Sequence, residues 1–258
     1  MSETIRVGVL GAAGRMGQSV CEAVDADDAL TLVAAFDPHG AGTTTAQGIA
    51  VVADLADLIA AKPDVVVDFT VADAARQNLP QIAAAGIHAV VGTTGLADED
   101  IAAFEAAFTS SNCLIAANFA ISAVLMMRFS EMAAPFFDTA EVIELHHDNK
   151  IDAPSGTAVA TVERMAAASG DWADDPTEHE VYPGARGGEG PAGIRTHSVR
   201  MRGMVAHQQV ILGALGQTLT IRQDSYDRSS FMPGVVLGCK RIANQPGVTL
   251  GLDAILDI

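Results

Sequence analysis

Cysteine and positive charge are scarce in this 258-residue chain, and each scarcity excludes a class of protein. The three cysteines, Cys21, Cys113 and Cys239, are odd in number, far apart and free of any C-x-x-C spacing. They therefore form neither a disulfide framework nor a zinc–thiolate site. Only 15 Lys and Arg stand against 32 Asp and Glu, a net charge of −17. We expect no nucleic-acid partner, because phosphate binding needs a dense positive surface.

Long apolar runs and metal-binding motifs are also missing. No uninterrupted apolar run approaches the ~18–20 residues of a membrane span, and Glu3 stands where a signal peptide would carry positive charge. We therefore expect a cytoplasmic protein without a membrane partner. No H-E-x-x-H motif occurs, and no metal site is predicted. A composition of 49% hydrophobic and 18% charged residues indicates a packed core in one large or two modest domains.

Residues 1–118 alternate short β-branched runs with Ala-rich stretches. The apolar runs predict five strands: Ile5–Leu10, Leu32–Phe36, Val65–Phe69, His88–Val91 and Cys113–Ala116. The stretches between them predict four helices: Met16–Val24, Ala53–Ala61, Ala72–Ala84 and Asp98–Phe108. Such alternation is typical of βαβ units. We therefore predict an α/β protein whose residues 1–118 form a Rossmann-like, doubly wound parallel sheet that binds a dinucleotide.

The pattern changes near Asn118. Residues 119–228 predict an α+β domain with an open mixed or antiparallel sheet. Its predicted elements are helix Ser122–Ala134, strand Glu141–His146, helix Thr157–Ala168 and the strands Ile194–Arg202, Val205–Leu212 and Thr218–Asp224. We interpret the last three strands as an antiparallel meander. The open sheet needs a cover, such as another subunit, and residues 229–258 are predicted to return to the first domain.

The first predicted strand leads directly into a glycine-rich turn, Gly11-Ala12-Ala13-Gly14-Arg15-Met16-Gly17, and then into a helix. The spacing is one residue longer than G-x-G-x-x-G, but it still provides a tight turn, close backbone approach to a pyrophosphate and helix–strand packing. The N-terminus of the helix adds free N–H groups. Asp37, about 20 residues further on, suits the ribose diol and repels a 2′-phosphate. NADH is therefore the expected cofactor, and Arg15 leaves NADPH open.

Three other polar turns follow predicted strands and would lie at the same carboxyl edge of the sheet. They are Asp68-Phe69-Thr70, Gly92-Thr93-Thr94-Gly95 and Ala116-Ala117-Asn118-Phe119. Ordinary loop chemistry is the alternative interpretation, and it fits Asp68 well, since Thr70 can cap a helix.

The segment from Glu144 to Thr157, E-L-H-H-D-N-K-I-D-A-P-S-G-T, carries the strongest chemical signal. His146 and His147 titrate near neutrality and Lys150 is one of only three lysines, so the group suits protonation of a substrate during reduction. Ser155, Gly156 and Thr157 open a helix and can present N–H groups to a carboxylate. His179, His197 and His207 are interpreted as structural. Roles for Arg195, Arg200 and Arg202 stay open, with surface ion pairs as one reading.

These residues together resemble the 4-hydroxy-tetrahydrodipicolinate reductase (dihydrodipicolinate reductase) family over nearly the whole chain. The resemblance rests on the turn Gly11–Gly17, the three edge turns, Val205-Ala206-His207-Gln208, Ser229-Ser230-Phe231 and above all the run from Glu144 to Thr157. It implies hydride transfer from a nicotinamide to C4 of an unsaturated cyclic dicarboxylate in the diaminopimelate pathway of lysine biosynthesis. It also implies that residues 119–228 bind the substrate and form the oligomer contacts, in a homotetramer that pairs the sheets of these second domains.

The resemblance further implies a role for each site residue. His146 would be the proton donor, Lys150 a second donor and anion binder, and His147 a substrate contact. The dicarboxylate would be held by Ser155, Gly156 and Thr157. The nicotinamide cofactor would be held by Gly11, Ala12, Ala13, Gly14, Arg15, Met16, Asp37, Gly92, Thr93, Thr94, Ala116, Ala117, Asn118 and Phe119.

The chain departs from the family pattern at two places. Ala13 stands where some relatives have a basic residue, which favours NADH over NADPH, and Asp148-Asn149 lowers the positive charge near the substrate. Two alternatives are a related two-domain dehydrogenase, such as an aspartate dehydrogenase, and a non-catalytic NADH sensor.

Overall fold

The computed structural model describes residues 4–258, and these divide into two compact units. The first contains the chain up to Ile121 together with Arg228–Ile258, and the second contains Ser122–Asp227. The sequence predicts divisions after residues 118 and 228, within three residues of these. The C-terminal segment belongs to the unit that begins the chain.

Seven parallel strands form the sheet of the first unit. They are β1 (Ile5–Leu10), β2 (Leu30–Phe36), β3 (Val51–Val52), β4 (Val65–Asp68), β5 (His88–Val91), β6 (Cys113–Ile115) and β12 (Val248–Leu250). The helices of this unit are α1 (Arg15–Asp25), α2 (Leu55–Ala60), α3 (Ala72–Ala84), α4 (Asp98–Ala107), α7 (Met232–Arg241) and α8 (Asp253–Leu256). The strand order is β12-β6-β5-β4-β1-β2-β3, so the predicted doubly wound parallel sheet is confirmed.

The interior of this sheet is apolar because helices cover both faces of its central strands. Val65, Val66 and Val67 of β4 are at most 1% exposed. The chain runs outward from β1 in one direction through β2 and in the other through β4, so the strand order reverses beside β1. Ligands of open α/β sheets bind outside the carboxyl ends of the strands at such a point. Two strands, β3 and β12, were not predicted because each has only two or three residues.

The second unit contains a five-stranded mixed sheet. Its strands are β7 (Thr139–His146), β8 (Gly188–Glu189), β9 (Arg195–Arg200), β10 (Ala206–Ala214) and β11 (Gln217–Ser225), and its main helices are α5 (Ile121–Ala133) and α6 (Gly156–Ala168). The strand order is β11-β10-β7-β9-β8. The open mixed sheet is therefore confirmed, as is the α+β class of the unit.

The predicted meander of the last three strands is wrong, because β7 lies between β9 and β10. β9 pairs with β7 in parallel, and β10 pairs with β7 antiparallel. The connection Met201–Val205 has to cross only one strand, a distance of about 10 Å that five residues span easily. Short spacing in the sequence shows that two strands run in opposite directions, but it does not show which strands are neighbours.

Helix α6 packs on one face of this sheet, and the residues of β7 on that face change from apolar to polar along the strand. Val142, Val210 and Leu212 are completely buried against Val162 and Met165 of α6. Further along β7 the same face carries Glu144 and then His146, beside the first turn of α6, because alternate residues of a strand share a face. On the opposite face, Ile143, Leu145 and Ile211 stay partly exposed. Across residues 4–258, no helix combines the length and apolar character needed to cross a bilayer.

Candidate active site

The glycine-rich turn lies between β1 and α1, and its backbone leaves no room for side chains at two positions. Gly11 has a φ of +76°, which favours glycine. A Cβ on Gly17 would stand 2.1 Å from the Gly11 carbonyl oxygen, so the first turn of α1 touches the end of β1. Gly14 is the N-cap residue and provides no side-chain cap. The turn therefore fits a pyrophosphate held by main-chain N–H groups at a helix N-terminus.

Asp37 follows β2 and holds the glycine-rich turn in place. Its Oδ2 accepts a hydrogen bond from the Ala13 amide (3.1 Å), and its Oδ1 accepts one from the His39 amide (2.9 Å). A Cβ on Gly40 would stand 2.3 Å from the Cβ of Ala13, so the loop after β2 packs directly on the turn. A carboxylate has further lone pairs for a ribose diol. Arg15 is exposed and has no ion-pair partner among residues 4–258.

The other edge turns are joined by Asp68 and Phe69. Asp68 is completely buried, and it accepts hydrogen bonds from the Thr70 amide (2.8 Å), the Thr70 hydroxyl (2.6 Å) and the Thr93 hydroxyl (3.0 Å). Burial raises the pKa of Asp68 although these hydrogen bonds oppose the shift. The structural reading of Asp68 is thus the better one: it fixes Thr70 and Thr93, which lie at the ends of neighbouring strands.

Phe69 connects the turns that begin at Gly92 and Ala116. A Cβ on Gly92 would stand 2.1 Å from the Phe69 ring, and the rings of Phe69 and Phe119 meet edge to face with centroids 5.7 Å apart. Phe119 is 1% exposed, so its ring supports this edge of the sheet from the interior and is not accessible from the surface. The exposed members of these two turns are Thr94, Gly95 and Ala117.

In the second unit, His146 ends β7 and forms a hydrogen bond through Nδ1 with Oε2 of Glu144 (2.5 Å). Glu144 is completely buried, whereas the His146 side chain is 16% exposed. Burial lowers the pKa of His146 below its ordinary value, and Lys150 and Arg200 lower it further, while the Glu144 carboxylate opposes the shift. The imidazole is therefore neutral near neutral pH unless a further anion comes close to it.

Glu144 also pairs with Arg200, which lies opposite His146 on β9. Nη1 and Nη2 of Arg200 donate to Oε2 (2.8 Å) and Oε1 (2.7 Å) of Glu144, and Nη2 also donates to the Asp152 carbonyl (2.7 Å). Burial alone would raise the pKa of Glu144, but hydrogen bonds from Arg200, Ser198 and His146 lower it. Glu144 is thus an ionised carboxylate at the centre of the site.

The loop after His146 places Lys150 beside Asp152. Nζ of Lys150 donates hydrogen bonds to both carboxylate oxygens of Asp152 (2.8 Å each). Asp152 is 56% exposed, so this ion pair lies at the surface. His147 is exposed. The predicted cationic residues therefore surround the end of β7, and Lys150 carries an exchangeable counter-ion.

At the start of α6, Ser155 caps the helix, and Gly156 borders open space. The Ser155 hydroxyl accepts from the Ala158 amide (3.2 Å), and the Ser155 amide donates to Oε1 of Glu144 (3.2 Å). Ser155 is buried and acts as the N-cap, so the amide that the sequence predicts for a substrate carboxylate already has Glu144 as its acceptor. Gly156 has open space where a Cβ would stand. Together with Thr157 it forms the helix N-terminus that an anionic group could approach.

The sequence pattern predicts no role for Glu144 and leaves the roles of three arginines open. Arg200 belongs to the site, whereas Arg202 pairs with exposed Asp148, and Arg195 pairs with Asp175. The i, i+2 spacing of Glu144 and His146 on a strand could have indicated their contact. Nothing in the sequence indicated Arg200, because its place opposite His146 depends on the unpredicted pairing of β7 with β9.

His197 and His207 each have a carboxylate partner. Nε2 of His197 forms a hydrogen bond with Glu141 (2.5 Å), and Nδ1 of His207 forms one with Asp224 (2.7 Å). Their structural role stays a prediction. Within residues 4–258, no three His, Cys, Asp or Glu side chains are grouped to hold a metal ion.

Comparison with known proteins points to one family. The family profile described as "Dihydrodipicolinate reductase, N-terminus" matches residues 5–119, and the one described as "Dihydrodipicolinate reductase, C-terminus" matches residues 122–256. The chain is 49% identical to 4-hydroxy-tetrahydrodipicolinate reductase from Corynebacterium urealyticum, covering 98% of this chain and 99% of the relative. It is 50% identical to the protein of that name from Nocardia farcinica, covering 99% of this chain and all of the relative.

Solved structures agree. Dipicolinate-bound dihydrodipicolinate reductase from Paenisporosarcina sp. TG-14 superposes with a TM-score of 0.89 at 36% identity, covering 98% of this chain and 99% of that chain. An amine dehydrogenase from Mycobacterium smegmatis gives a TM-score of 0.65 at 13% identity over 96% of this chain and 95% of that one, and so shares the fold alone. The chain therefore belongs to the dihydrodipicolinate reductase family, whose curated members bear the name 4-hydroxy-tetrahydrodipicolinate reductase.

Proposed function

We propose that this chain reduces 4-hydroxy-tetrahydrodipicolinate to tetrahydrodipicolinate in lysine biosynthesis, with His146 as the proton donor. Family membership supports the reaction and the nicotinamide cofactor. The observation that carries the assignment of residues is the group of Glu144, His146 and Lys150 beside the open start of α6. The C4 hydroxyl would leave as water together with a hydrogen of the neighbouring ring carbon, a bound nicotinamide would supply a hydride to C4, and the protein would supply the proton to the neighbouring carbon and the anion-binding groups.

NADH is proposed as the preferred cofactor. The Asp37 carboxylate lies at the end of β2, fixed by two main-chain N–H groups, where it would accept hydrogen bonds from a ribose diol and repel a 2′-phosphate. Arg15 is the one cation of the glycine-rich turn, and it is exposed, so it offers a weak counter-charge for NADPH. NADPH would then be used with lower efficiency.

The proton would leave from Nε2 of His146. Nδ1 is directed at the Glu144 carboxylate, which as an ionised group can only accept a hydrogen bond, so Nδ1 carries the hydrogen. Nε2 is then protonated only in the imidazolium form. A dicarboxylate near His146 favours that form, because a nearby negative charge stabilises the protonated ring.

Lys150 and the start of α6 would bind the substrate carboxylates. Lys150 holds Asp152 at the surface, and an incoming carboxylate could replace that partner without leaving the ammonium group unpaired. Gly156 and Thr157 would receive the other carboxylate at the helix N-terminus. A relative with dipicolinate bound supports a dicarboxylate ligand of this class.

The test is a kinetic comparison of wild type with His146→Gln and Lys150→Met. The substrate is generated in place by a synthase from pyruvate and aspartate semialdehyde, and nucleotide oxidation is followed by absorbance. Each variant should reduce kcat by roughly 100-fold, the effect of losing an acid–base group. Near-normal turnover in both variants would refute the assignment. Aspartate-dependent activity without turnover of the cyclic substrate would instead indicate an aspartate dehydrogenase. Binding of NADH without turnover of either substrate would indicate a non-catalytic sensor.

A homotetramer formed through the second-unit sheet, in the cytoplasm, is part of the same proposal. The sheet face opposite α6 carries Ile143, Leu145 and Ile211, which are partly exposed and would be covered by the same face of another copy. Light scattering after size-exclusion chromatography should give four times the monomer mass. The variant Leu145→Lys should reduce that mass, and an unchanged mass would place the interface elsewhere.

A further inference from the structure

Glu144 has more hydrogen-bond donors than a buried carboxylate requires. It is completely buried and receives hydrogen bonds from both terminal nitrogens of Arg200, from the Ser155 amide, from Ser198 and, through Nδ1, from His146. A buried ion pair of this kind is weak evidence for stability, because removing its charges from water costs several kcal/mol. Glu144 instead connects three separate parts of the chain, namely Arg200 on β9, the Ser155 amide before α6 and His146 at the end of β7.

We propose that Glu144, held by Arg200, is a positioning residue that fixes the proton donor His146 and the carboxylate-binding start of α6 relative to each other. The inference rests on the proposed role of His146. Oε2 of Glu144 faces the His146 ring at the end of β7, and Oε1 faces the Ser155 amide that precedes α6. One rigid carboxylate thus connects two parts of the site that are separated by a nine-residue loop in the sequence, 147–155.

Arg200 makes this arrangement rigid. Its guanidinium forms a bidentate pair with Glu144, and such pairs fix orientation as well as charge. Nη2 also holds the Asp152 carbonyl, so the residue that pairs with Lys150 is anchored to the same guanidinium. Arg200 also keeps Glu144 ionised, and an ionised Glu144 leaves the proton on the imidazole rather than taking it.

Glu141, three residues earlier on β7, provides an internal comparison. It pairs with His197 (2.5 Å) and Arg186 (2.6 Å), so it has the same types of partner as Glu144. It is 31% exposed rather than buried, it lies on the other face of the strand, and its partners do not include the loop from His147 to Ser155. Glu141→Gln is therefore a matched control for Glu144→Gln, once light scattering has shown the wild-type mass for it, because Glu141 shares its sheet face with Ile143 and Leu145.

The test combines kinetics with selective ¹⁵N-histidine NMR of the full-length protein. The ¹⁵N shifts show which ring nitrogen carries the hydrogen, and the His146 signals are assigned by their absence in His146→Gln. In wild type, neutral His146 should be the Nδ1–H tautomer. In Glu144→Gln that tautomer should no longer predominate, and kcat should fall at least tenfold. The imidazolium form of His146 that turnover needs should require a pH about one unit lower, because the carboxylate that stabilises the protonated ring is lost. Glu141→Gln should stay within twofold of wild type.

Three outcomes overturn the inference. They are an Nε2–H tautomer in wild type, an unchanged tautomer in Glu144→Gln, and a kcat in Glu144→Gln that matches that of Glu141→Gln. If Glu144→Gln does not fold, the wild-type spectrum and the conservative Arg200→Lys variant decide, since Arg200→Lys should lose activity while keeping the tautomer. Normal turnover in His146→Gln would instead refute the proposed proton donor, whatever the NMR spectra show of Glu144.

Discussion

The amide of Ala13 donates a hydrogen bond to Oδ2 of Asp37 across 3.1 Å, so the acid that ends β2 is bound to the turn that begins α1. Asp37 consequently has two tasks: it faces the position expected for a ribose, and it fixes the backbone expected to hold the pyrophosphate. A substitution intended only to change cofactor preference will disturb both.

Asp37→Asn should weaken NADH binding about tenfold, roughly 1.4 kcal/mol. In asparagine an NH2 group replaces one of the two carboxylate oxygens. This NH2 group would face the main-chain N–H of either Ala13 or His39, and because both are donors, one hydrogen bond is lost. NADPH should gain little, because the turn is loosened for both nucleotides. Fluorescence titration with each nucleotide measures this. The matched control is Asp54→Asn, at the N-cap of α2, where asparagine caps equally well. A large gain in NADPH affinity with NADH affinity unchanged would show that Asp37 acts on the ribose alone.

Gly17→Ala should destabilise the first unit by about 1–3 kcal/mol, because the added Cβ would overlap the Gly11 carbonyl oxygen. Tm should fall by roughly 2–4 °C for each kcal/mol in a chain of this size, and NADH binding should be lost with the shape of the turn. Gly170→Ala is the control, since no atom lies within 4 Å of its Cβ position. Equal thermal melting curves for the two variants would contradict the close contact between α1 and β1.

Dicarboxylate binding should be accompanied by proton uptake at His146. Burial lowers the pKa of the free imidazole, so the ring is neutral near pH 7.5, and two substrate carboxylates would raise it again. Affinity for dipicolinate should therefore decrease as the pH rises above neutrality. Calorimetric titration with dipicolinate in buffers of different ionisation enthalpy measures the proton directly. Uptake should approach one proton per site and vanish in His146→Gln, and equal uptake in both proteins would assign the proton to another group.

The lowered pKa of His146 also has a consequence for stability. The unfolded chain binds a proton at His146 more readily than the folded chain does. The free energy of unfolding therefore decreases as the pH falls below the ordinary pKa of histidine. Glu144 acts in the same direction at lower pH, since its pKa is lowered in the folded state and the stability it provides is lost as it becomes protonated. Tm should decrease between pH 7 and 4, and less steeply in His146→Gln.

Asp152→Asn should lower the KM for substrate about two- to fivefold, because the exposed ion pair with Asp152 no longer competes for Lys150. The pKa of Asp152 is lowered chiefly by its hydrogen bond to Lys150, so the pair is intact at neutral pH. Asp148→Asn removes an equal charge that pairs with exposed Arg202 and should leave KM unchanged. A higher KM in Asp152→Asn would mean that Asp152 itself assists binding.

The first unit could be predicted well because its information is local. Val65–Val67 form an apolar run, and Gly11, Gly14 and Gly17, which lead from β1 into the first turn of α1, have a spacing that few other turns need. The second unit could not be predicted to the same extent. The pairing of β7 with β9, and hence the contact of Glu144 with Arg200 across 56 residues, depends on strand order, for which the sequence carries no local signal. Ser155 was assigned to substrate for a related reason: a helix cap and an anion site use the same residue types.

The account is tested most directly by the synthase-coupled assay run with NADH on wild type and His146→Gln side by side. The prediction is synthase-dependent oxidation of NADH by wild type, faster than with NADPH, and a rate about 100-fold lower in the variant. No oxidation by a wild-type protein that binds NADH, or an undiminished rate in His146→Gln, would contradict it.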